Sequence, residues 1–200
     1  MEFESDPPSD AGVVQGLAAL RREGGSVLVV GAASGAQHDV CRRFIEGDDE
    51  RIFVDTDGPV RDDESADEVI ERPFTTRSAA TSGASGPAPG GITALAADVE
   101  AATRDRAETT ETPRICVDSL RPFVDGTDIP TLTAALRSVG AAAEEAGAVA
   151  HFHLPAVPEA VPEPLFEAVD AVVEVRRRGG TTHQRWRFPG RTETTGWVRV

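Results

Sequence analysis

The stretch Ser26–Cys41, with the sequence SVLVVGAASGAQHDVC, decides the fold of this chain. Its first part, Val27–Val30, is a continuous apolar run, as expected of a strand that is buried on both faces of a parallel sheet. A turn of small residues follows, and residues 36–45 then place apolar side chains at helical spacing. The stretch therefore predicts a strand, a tight turn and a helix, which together begin an α/β unit.

The turn has the outline of a phosphate-binding loop but lacks its chemistry. That loop reads G-x-x-x-x-G-K-[ST], with a lysine that reaches the phosphates and a hydroxyl that binds Mg²⁺. Gly31 lies in register with the first glycine. The slots of the second glycine, the lysine and the hydroxyl residue hold Ala36, Gln37 and His38. The chain contains no lysine at all, so no other lysine can replace the missing cation.

Beyond this stretch, apolar strand patterns alternate with helical periodicity. The patterns predict further strands over residues 51–55, 114–118, 148–153 and 170–175, and helices over residues 11–23, 92–103, 130–147 and 165–169. Residues 62–70 are predicted to form a short acidic helix, and residues 183–188 and 197–200 to form antiparallel strands. The order predicts an α/β fold with a three-layer, mainly parallel sheet and a C-terminal antiparallel hairpin.

A single domain is predicted over residues 11–200, because two hundred residues suit one α/β core. Residues 1–10 are predicted to be an acidic, disordered tail. Small residues and proline dominate residues 77–91, which we predict to be a flexible loop. Cys41 and Cys116 do not make a disulfide framework and are expected to be buried thiols.

The charge of the chain is strongly negative. It carries 34 acidic and 20 basic residues, a net charge of -14, and every basic residue is arginine. This composition is typical of salt-in halophilic archaea, because a hydrated acidic surface stays soluble in molar salt, where the screening length is about 3 Å. The same charge repels phosphate, so nucleic acid is an unexpected partner. The chain has no apolar run of the roughly 18 residues that a membrane span needs and no basic signal segment, so we expect a cytoplasmic protein.

Several segments resemble one group of proteins. Residues 27–47 resemble a Walker A strand, loop and helix, and Ile115–Leu120 (ICVDSL) resembles a Walker B strand followed by the D-S-L of KaiC/RecA-type ATPases. Leu165–Val175 resembles a later apolar strand of that fold, and the arginine-containing C-terminal strands resemble its terminal hairpin. More closely, DSL, AHFHL and FEAVDAVVE resemble an uncharacterised family of haloarchaeal RecA/KaiC-like proteins, sometimes described as related to signal transducers. The resemblance implies a sheet of RecA/KaiC type.

The resemblance also implies a vestigial nucleotide site. In such ATPases the loop lysine and hydroxyl hold phosphate and magnesium, and the Walker B acid orients a metal-bound water. Those roles would fall to Gln37, His38 and Asp118, but glutamine brings no charge and imidazole brings no hydroxyl. The vestigial site would comprise Gly31, Ser34, Gly35, Gln37, His38 and Asp118. We therefore expect no catalytic residue and no cofactor.

The alternative is a divergent nucleotide-binding P-loop ATPase that uses ATP and Mg²⁺. In that protein an arginine would replace the lysine, and Arg42 and Arg43 lie in the following helix. They begin more than a turn beyond the lysine slot, so their side chains would have to fold back along the helix. Asp55 and Asp57 stand near the position that the resemblance assigns to a catalytic glutamate, one methylene shorter.

Two residue pairs have the chemistry of zinc ligands. His38 and Cys41 share a face of the predicted helix, and His151 and His153 share a face of a predicted strand. Imidazole and thiolate suit zinc, but the chain has no C-x-x-C pair and no closed four-ligand spacing. We therefore expect no metal site, although the sequence leaves open that the two pairs converge at the carboxyl edge of the sheet. The alternative is that His151 and His153 form a hydrogen-bonded pair that closes the end of a core strand.

A serine hydrolase arrangement is the third chemical alternative. Ser34 or Ser119 could combine with His153 and Asp170. The chain has no G-x-S-x-G elbow to support such a triad, so we do not expect one.

Arginine and aromatic residues alternate near the C-terminus. Arg185, Trp186, Arg187 and Arg191 form a candidate contact surface for an acidic partner. The alternative is a charged hairpin with Trp186 and Phe188 on its packed face. We expect a non-catalytic RecA/KaiC-like domain that acts through a protein partner or a homo-oligomer, in signalling or regulation in a halophilic archaeon.

Overall fold

The computed structural model describes residues 11–33, 35–44, 51–56, 68–71, 91–109, 112–190 and 194–200. The strands in these ranges are β1 (Gly25–Val30), β2 (Arg51–Asp55), β3 (Glu68–Glu71), β4 (Arg114–Asp118), β5 (Val149–Leu154), β6 (Ala171–Arg178), β7 (Thr181–Arg187) and β8 (Val198–Arg199). The α-helices are α1 (Ala11–Glu23), α2 (Ala36–Phe44), α3 (Gly91–Ala107), α4 (Arg121–Gly126), α5 (Ile129–Glu145) and α6 (Glu163–Phe166). A 3-10 helix spans Pro158–Ala160.

One eight-stranded sheet organises these elements, in the order β3-β2-β4-β5-β1-β6-β7-β8. The six strands from β3 to β6 pair in parallel. The last two strands, β7 and β8, pair antiparallel. The predicted α/β fold, with a mainly parallel sheet and a C-terminal antiparallel hairpin, is therefore confirmed.

Helices cover both faces of the sheet. On β1, Leu28 and Val30 belong to the core cluster that also contains residues of α3 and α5. The alternate residues Val27 and Val29 belong to a second cluster with residues of α1 and α2. Because successive side chains of a strand point to opposite faces, the sheet lies between two helical layers.

Local sequence explains where the central elements begin. All six residues of β1 are buried, as the apolar run predicts for a central strand. The helix α5 begins after Asp128, whose carboxylate accepts the backbone N–H of Thr131 at 2.9 Å. Pro130 lies in the first turn of α5, where a missing N–H costs no helical hydrogen bond.

The structure differs from the prediction in two details. The predicted helix over residues 62–70 is wrong at its end, because residues 68–70 belong to β3, which pairs in parallel with β2. Sheet pairing of Val69 and Ile70, both β-branched, overrides the acidic helical pattern. The short helix α4 was not predicted, although Pro122 in its first turn is a helix-start signal.

Some predictions lie outside the described residues. These are the acidic tail over residues 1–10 and the loop over residues 77–91, of which only Gly91 is described, as the first residue of α3. Within the described ranges, no helix combines the length and the apolar character that a membrane crossing requires. Cys41 and Cys116 form no disulfide and are buried, as expected.

Gly31 allows the loop after β1 to pass close to β6. A Cβ atom built on Gly31 would lie 2.4 Å from the carbonyl oxygen of Val175. We expect Gly31→Ala to lower the free energy of unfolding by about 1–3 kcal/mol, because the added methyl overpacks a backbone contact. Denaturant unfolding would measure this.

Gly196→Ala is the matched control for this substitution. A Cβ atom at Gly196 would meet nothing within 4 Å. We expect that variant to keep the stability of the original chain. Equal stability of the two variants would show that the close approach at Gly31 does not matter.

Candidate functional site

The carboxyl ends of β2, β4, β5 and β1 lie side by side at one edge of the sheet, the edge at which open α/β sheets bind ligands. Thr56, directly after β2, is fully buried, and its hydroxyl accepts the Ser119 N–H at 2.7 Å. The N–H of Leu120 donates to the carbonyl of His153 at 2.7 Å. The peptide bond between Asp118 and Ser119 is cis. The hydrogen bonds of Ser119 with Thr56 and of Leu120 with His153 hold the chain directly after β4 in place, next to Asp118.

Gln37, in the lysine slot, is turned inward at this edge. Its side-chain amide nitrogen donates to the carbonyl oxygen of Gly31 at 2.7 Å and to that of Leu154 at 2.9 Å. The residue is only 6% exposed. A side-chain amide has two N–H donors, so both are used on the backbone. An uncharged group thus ties the loop after β1 to the end of β5.

His38, in the hydroxyl slot, is paired with the Walker B-like acid. Its Nε2 atom lies 2.8 Å from Oδ2 of Asp118, and the two side chains are 34% and 24% exposed. The resemblance had assigned these two positions to magnesium and a metal-bound water. In this structure their polar atoms face each other.

The other predicted loop residues lie at the same edge. Gly35 has a φ of +73°, a left-handed conformation that favours glycine. Asp39, in the first turn of α2, accepts hydrogen bonds from Arg177 at 3.2 Å and from Thr182 at 2.7 Å. These contacts fix the start of α2 to β6 and β7. Ser34, also predicted for this site, lies outside the described residues.

The residues of the ATPase alternative lie only partly within the described part of the chain. The backbone of Arg42 and Arg43 is helical, but their side chains lie outside the described part of the chain. Asp57 also lies outside it, whereas Asp55 is described at the end of β2. The proposed arginine substitute for lysine therefore stays a prediction.

A cluster of cysteine and histidine lies between α2 and the sheet. Cys41 Sγ is 3.6 Å from Cys116 Sγ and 3.9 Å from Nδ1 of His151. Cys116 Sγ is 3.6 Å from Nε2 of His153. The rings of His38 and His153 have centroids 5.4 Å apart. The two residue pairs with zinc-ligand chemistry therefore do converge, which is the condition under which the sequence allowed a metal site.

The sequence prediction missed Cys116 as a member of this cluster. Cys116 and Asp118 lie two residues apart on β4, as His151 and His153 do on β5. The register of the two strands pairs Cys116 with His151 and Asp118 with His153. The same two-residue spacing on both strands was therefore the available signal.

Neighbouring groups shift the pKa values of Cys41 and His153. The hydrogen bond with the Cys116 thiol holds the pKa of Cys41 well below its ordinary value; burial opposes this shift, and hydrogen bonds with His151 and His153 support it. Complete burial by itself lowers the pKa of His153, but its hydrogen bond with Cys41 and the charges of Cys41 and Asp118 outweigh burial and raise that pKa.

The predicted arginine and tryptophan surface is corrected by the burial of Trp186. This residue is 4% exposed and its ring stacks against Phe188 at a centroid distance of 6.2 Å, inside the core. Tryptophan therefore lies on the packed face of the hairpin, as the alternative interpretation stated. Arg185 bonds to Glu174 through Nε at 2.9 Å and NH2 at 2.6 Å. Arg191 lies outside the described residues.

The positions of Asp170 and His153 contradict the serine hydrolase alternative. The carboxylate of Asp170 accepts the N–H and the hydroxyl of Ser26, both at 2.8 Å, at the beginning of β1. His153 pairs with Val29, near the opposite end of that strand. Asp170 therefore cannot orient the His153 ring.

Comparison with known proteins places this chain in a family. Residues 24–175 match the profile of a family of unknown function, DUF7504. Because the match covers more than half of the chain, the chain belongs to this family. The matched span contains the loop after β1, Asp118 and the whole cysteine and histidine cluster. A comparison with functionally curated proteins gave no match.

Gln37→Leu tests the structural role of the amide. We expect this variant to lower the free energy of unfolding by about 1–3 kcal/mol, because the carbonyls of Gly31 and Leu154 each lose a hydrogen bond, although that of Leu154 still accepts the N–H of Ala156. Denaturant unfolding would measure the change, with Gln15→Leu on the exposed side of α1 as the control. If both variants unfold at the same denaturant concentration, the amide does not hold the loop.

Proposed function

We propose that this chain is a non-catalytic RecA/KaiC-like domain that acts through protein contacts, in signalling or regulation in a halophilic archaeon. One observation carries the proposal. The side chain in the lysine slot, Gln37, is buried and bonded to the carbonyls of Gly31 and Leu154. A side chain that bridges two backbone carbonyls is not available to a phosphate.

The arrangement of the elements supports a RecA/KaiC type. A buried strand, a short loop and a helix come first, an acid ends a parallel strand later in the chain, and antiparallel strands come last. This is the order that the resemblance implies. At the carboxyl edge, Asp118 of β4 lies within hydrogen-bond distance of His38, the residue in the hydroxyl slot.

The chemistry of the loop argues against ATP turnover. Phosphoryl transfer depends on positioning and on cations that neutralise the charge of the phosphates. Gln37 is neutral and buried, and His38 faces Asp118. Arg177 approaches the loop near Gly35 but pairs with Asp39 at 3.2 Å. The described polar side chains at the loop are thus already bonded to other groups of the protein.

A basic face on the C-terminal hairpin supports a role in protein contacts. The register of β6 and β7 places Arg176, Arg185 and Arg187 on one face of the sheet, together with Glu174, which pairs with Arg185. The guanidinium carbons of Arg176 and Arg185 lie 3.8 Å and 4.8 Å from the centroid of the Trp197 ring. That of Arg187 lies 4.2 Å from the Phe166 ring. Aromatic rings hold these arginines in place, which lowers the entropy cost of a contact.

This face, defined by Arg176, Arg185 and Arg187, suits an acidic protein surface. The chain as a whole carries a net charge of -14, so a second copy offers such a surface. In molar salt the screening length is about 3 Å, so only direct contacts contribute. Arginine keeps its bidentate geometry and its ring stacking under those conditions.

A calorimetric titration with ATP and Mg²⁺ in molar KCl tests the nucleotide claim. We expect no saturable heat with the original chain, because Gln37 occupies the lysine slot and both of its N–H donors are bonded to backbone carbonyls. The double substitution Gln37→Lys with His38→Thr restores the lysine and the hydroxyl of the loop pattern and serves as the comparison. Saturable binding to the original chain, reduced by Asp118→Asn, would favour the divergent ATPase instead.

Self-association tests the contact claim. We expect sedimentation velocity in molar KCl to show an oligomer that Arg187→Glu dissociates, because the substitution reverses a charge on the basic face. Arg21→Glu, on the exposed surface of α1, is the control and should leave the oligomer intact. A chain that stays monomeric at every concentration would contradict self-association through this face.

A further inference from the structure

The cysteine and histidine cluster consists of residues from three elements. α2 supplies His38 and Cys41, one turn apart and facing the sheet. β4 supplies Cys116 and Asp118, and the neighbouring strand β5 supplies His153. Sulfur and imidazole nitrogen are the ligands that zinc prefers in proteins, and carboxylate oxygen is also accepted.

The ligand atoms are close enough to share one ion. The ligand atoms of Cys41, Cys116 and His153 lie within 4.8 Å of one another, and so do those of His38, Asp118 and His153. His153 belongs to both groups. The first group is buried, and the second is partly exposed and faces solvent. An ion could therefore enter from the side of His38 and Asp118.

The spacing of the inner group fits tetrahedral zinc. Bond lengths of about 2.3 Å to sulfur and 2.0 Å to nitrogen give ligand separations of about 3.8 Å between two sulfurs and about 3.5 Å between sulfur and nitrogen. The sulfurs of Cys41 and Cys116 are 3.6 Å apart, and the Cys116 sulfur is 3.6 Å from Nε2 of His153. Two edges of a coordination tetrahedron therefore already have the required length.

The buried imidazole of His153 is also poorly satisfied by protein groups. The residue is 0% exposed, and its Nδ1 atom has no hydrogen-bond partner among the described residues. Its Nε2 atom faces a sulfur, which is a weak hydrogen-bond acceptor. Buried polar atoms normally have partners, and an ion bound at Nε2 would replace this weak contact with a strong one.

We propose that Cys41, Cys116 and His153 bind a divalent transition metal with the chemistry of Zn²⁺, with the fourth position on the side of His38 and Asp118. The dication balances two buried thiolates, and it fastens α2 to β4 and β5. The site contains neither Gln37 nor Gly31, so it does not depend on the proposed function. The same metal site is compatible with a chain that binds nucleotide.

A redox dithiol is the competing use of the same cysteines. A disulfide needs its two sulfurs about 2.05 Å apart, whereas Cys41 and Cys116 are in noncovalent contact at 3.6 Å. A dithiol pair does not require the surrounding imidazoles and carboxylate. The additional nitrogen and oxygen ligands at His153, His38 and Asp118 favour a metal.

Cobalt is a spectroscopic probe for this site. The full chain is reduced, treated with a chelator and titrated with Co²⁺ in molar KCl, and Zn²⁺ is then added in competition. We expect one Co²⁺ per chain, with thiolate-to-cobalt charge-transfer absorption and the visible bands of tetrahedral coordination, all removed by Zn²⁺. Zinc should also raise the melting temperature, because it binds only the folded chain. Because both sulfurs would be its ligands, it should protect both thiols from alkylation as well.

Variants identify the ligands. Cys41→Ser should abolish the charge-transfer absorption from that sulfur and weaken zinc binding by at least about a hundredfold, whereas His38→Gln should weaken it by about tenfold. His183→Gln is the control, since that ring bonds to the carbonyl of Thr181 on β7, away from the cluster. It should bind zinc like the original chain.

Three results would overturn the proposal. The first is a folded original chain that takes up neither Co²⁺ nor Zn²⁺. The second is a His183→Gln variant that loses as much affinity as Cys41→Ser. The third is a Cys41–Cys116 disulfide, seen as a mass loss of two hydrogens, in a chain that binds no metal. Should Cys41→Ser fail to fold, protection of both thiols by zinc in the original chain still decides the matter.

Discussion

The hydrogen bonds of the Gln37 amide are the interaction on which the site depends. They join the loop after β1 to the end of β5, and so set the position of the first turn of α2 against the sheet. Once that turn is placed, His38 lies beside Asp118, and Cys41 lies beside Cys116 one helical turn further on. A lysine at position 37 would bring a charge into this buried place, where a charge without a partner is costly.

The features at the carboxyl edge of the sheet follow from one another. Parallel strands bring Asp118 and His153 to the same edge, and the register of β4 with β5 pairs them directly. The helix α2 then covers this polar patch with residues of matching chemistry rather than with apolar ones. The positions that a phosphate-binding loop gives to a lysine and a hydroxyl residue are held here by Gln37 and His38, and both side chains make contacts within the protein.

Much of this architecture was predictable, for reasons that particular residues make clear. The apolar run Val27–Val30 predicts a central strand because a strand buried on both faces favours apolar residues at successive positions. The two-residue alternation at His151 and His153 predicts a shared face but not the neighbour of that face. Strand order is set by long-range packing, so the spacing on β4 indicates that Cys116 shares a face with Asp118 but does not place it beside Cys41. The end of the predicted helix over residues 62–70 failed for the same reason, because pairing with β2 decides β3.

The most direct test of the account is the hydrogen exchange of the Gln37 side-chain amide, followed by NMR with and without ATP and Mg²⁺. If the amide is buried and bonded to the carbonyls of Gly31 and Leu154, its protons should exchange far more slowly than those of the exposed Gln15. Its chemical shifts should also stay unchanged when nucleotide is added. Exchange as fast as that of Gln15, or a shift that saturates with ATP, would contradict the account.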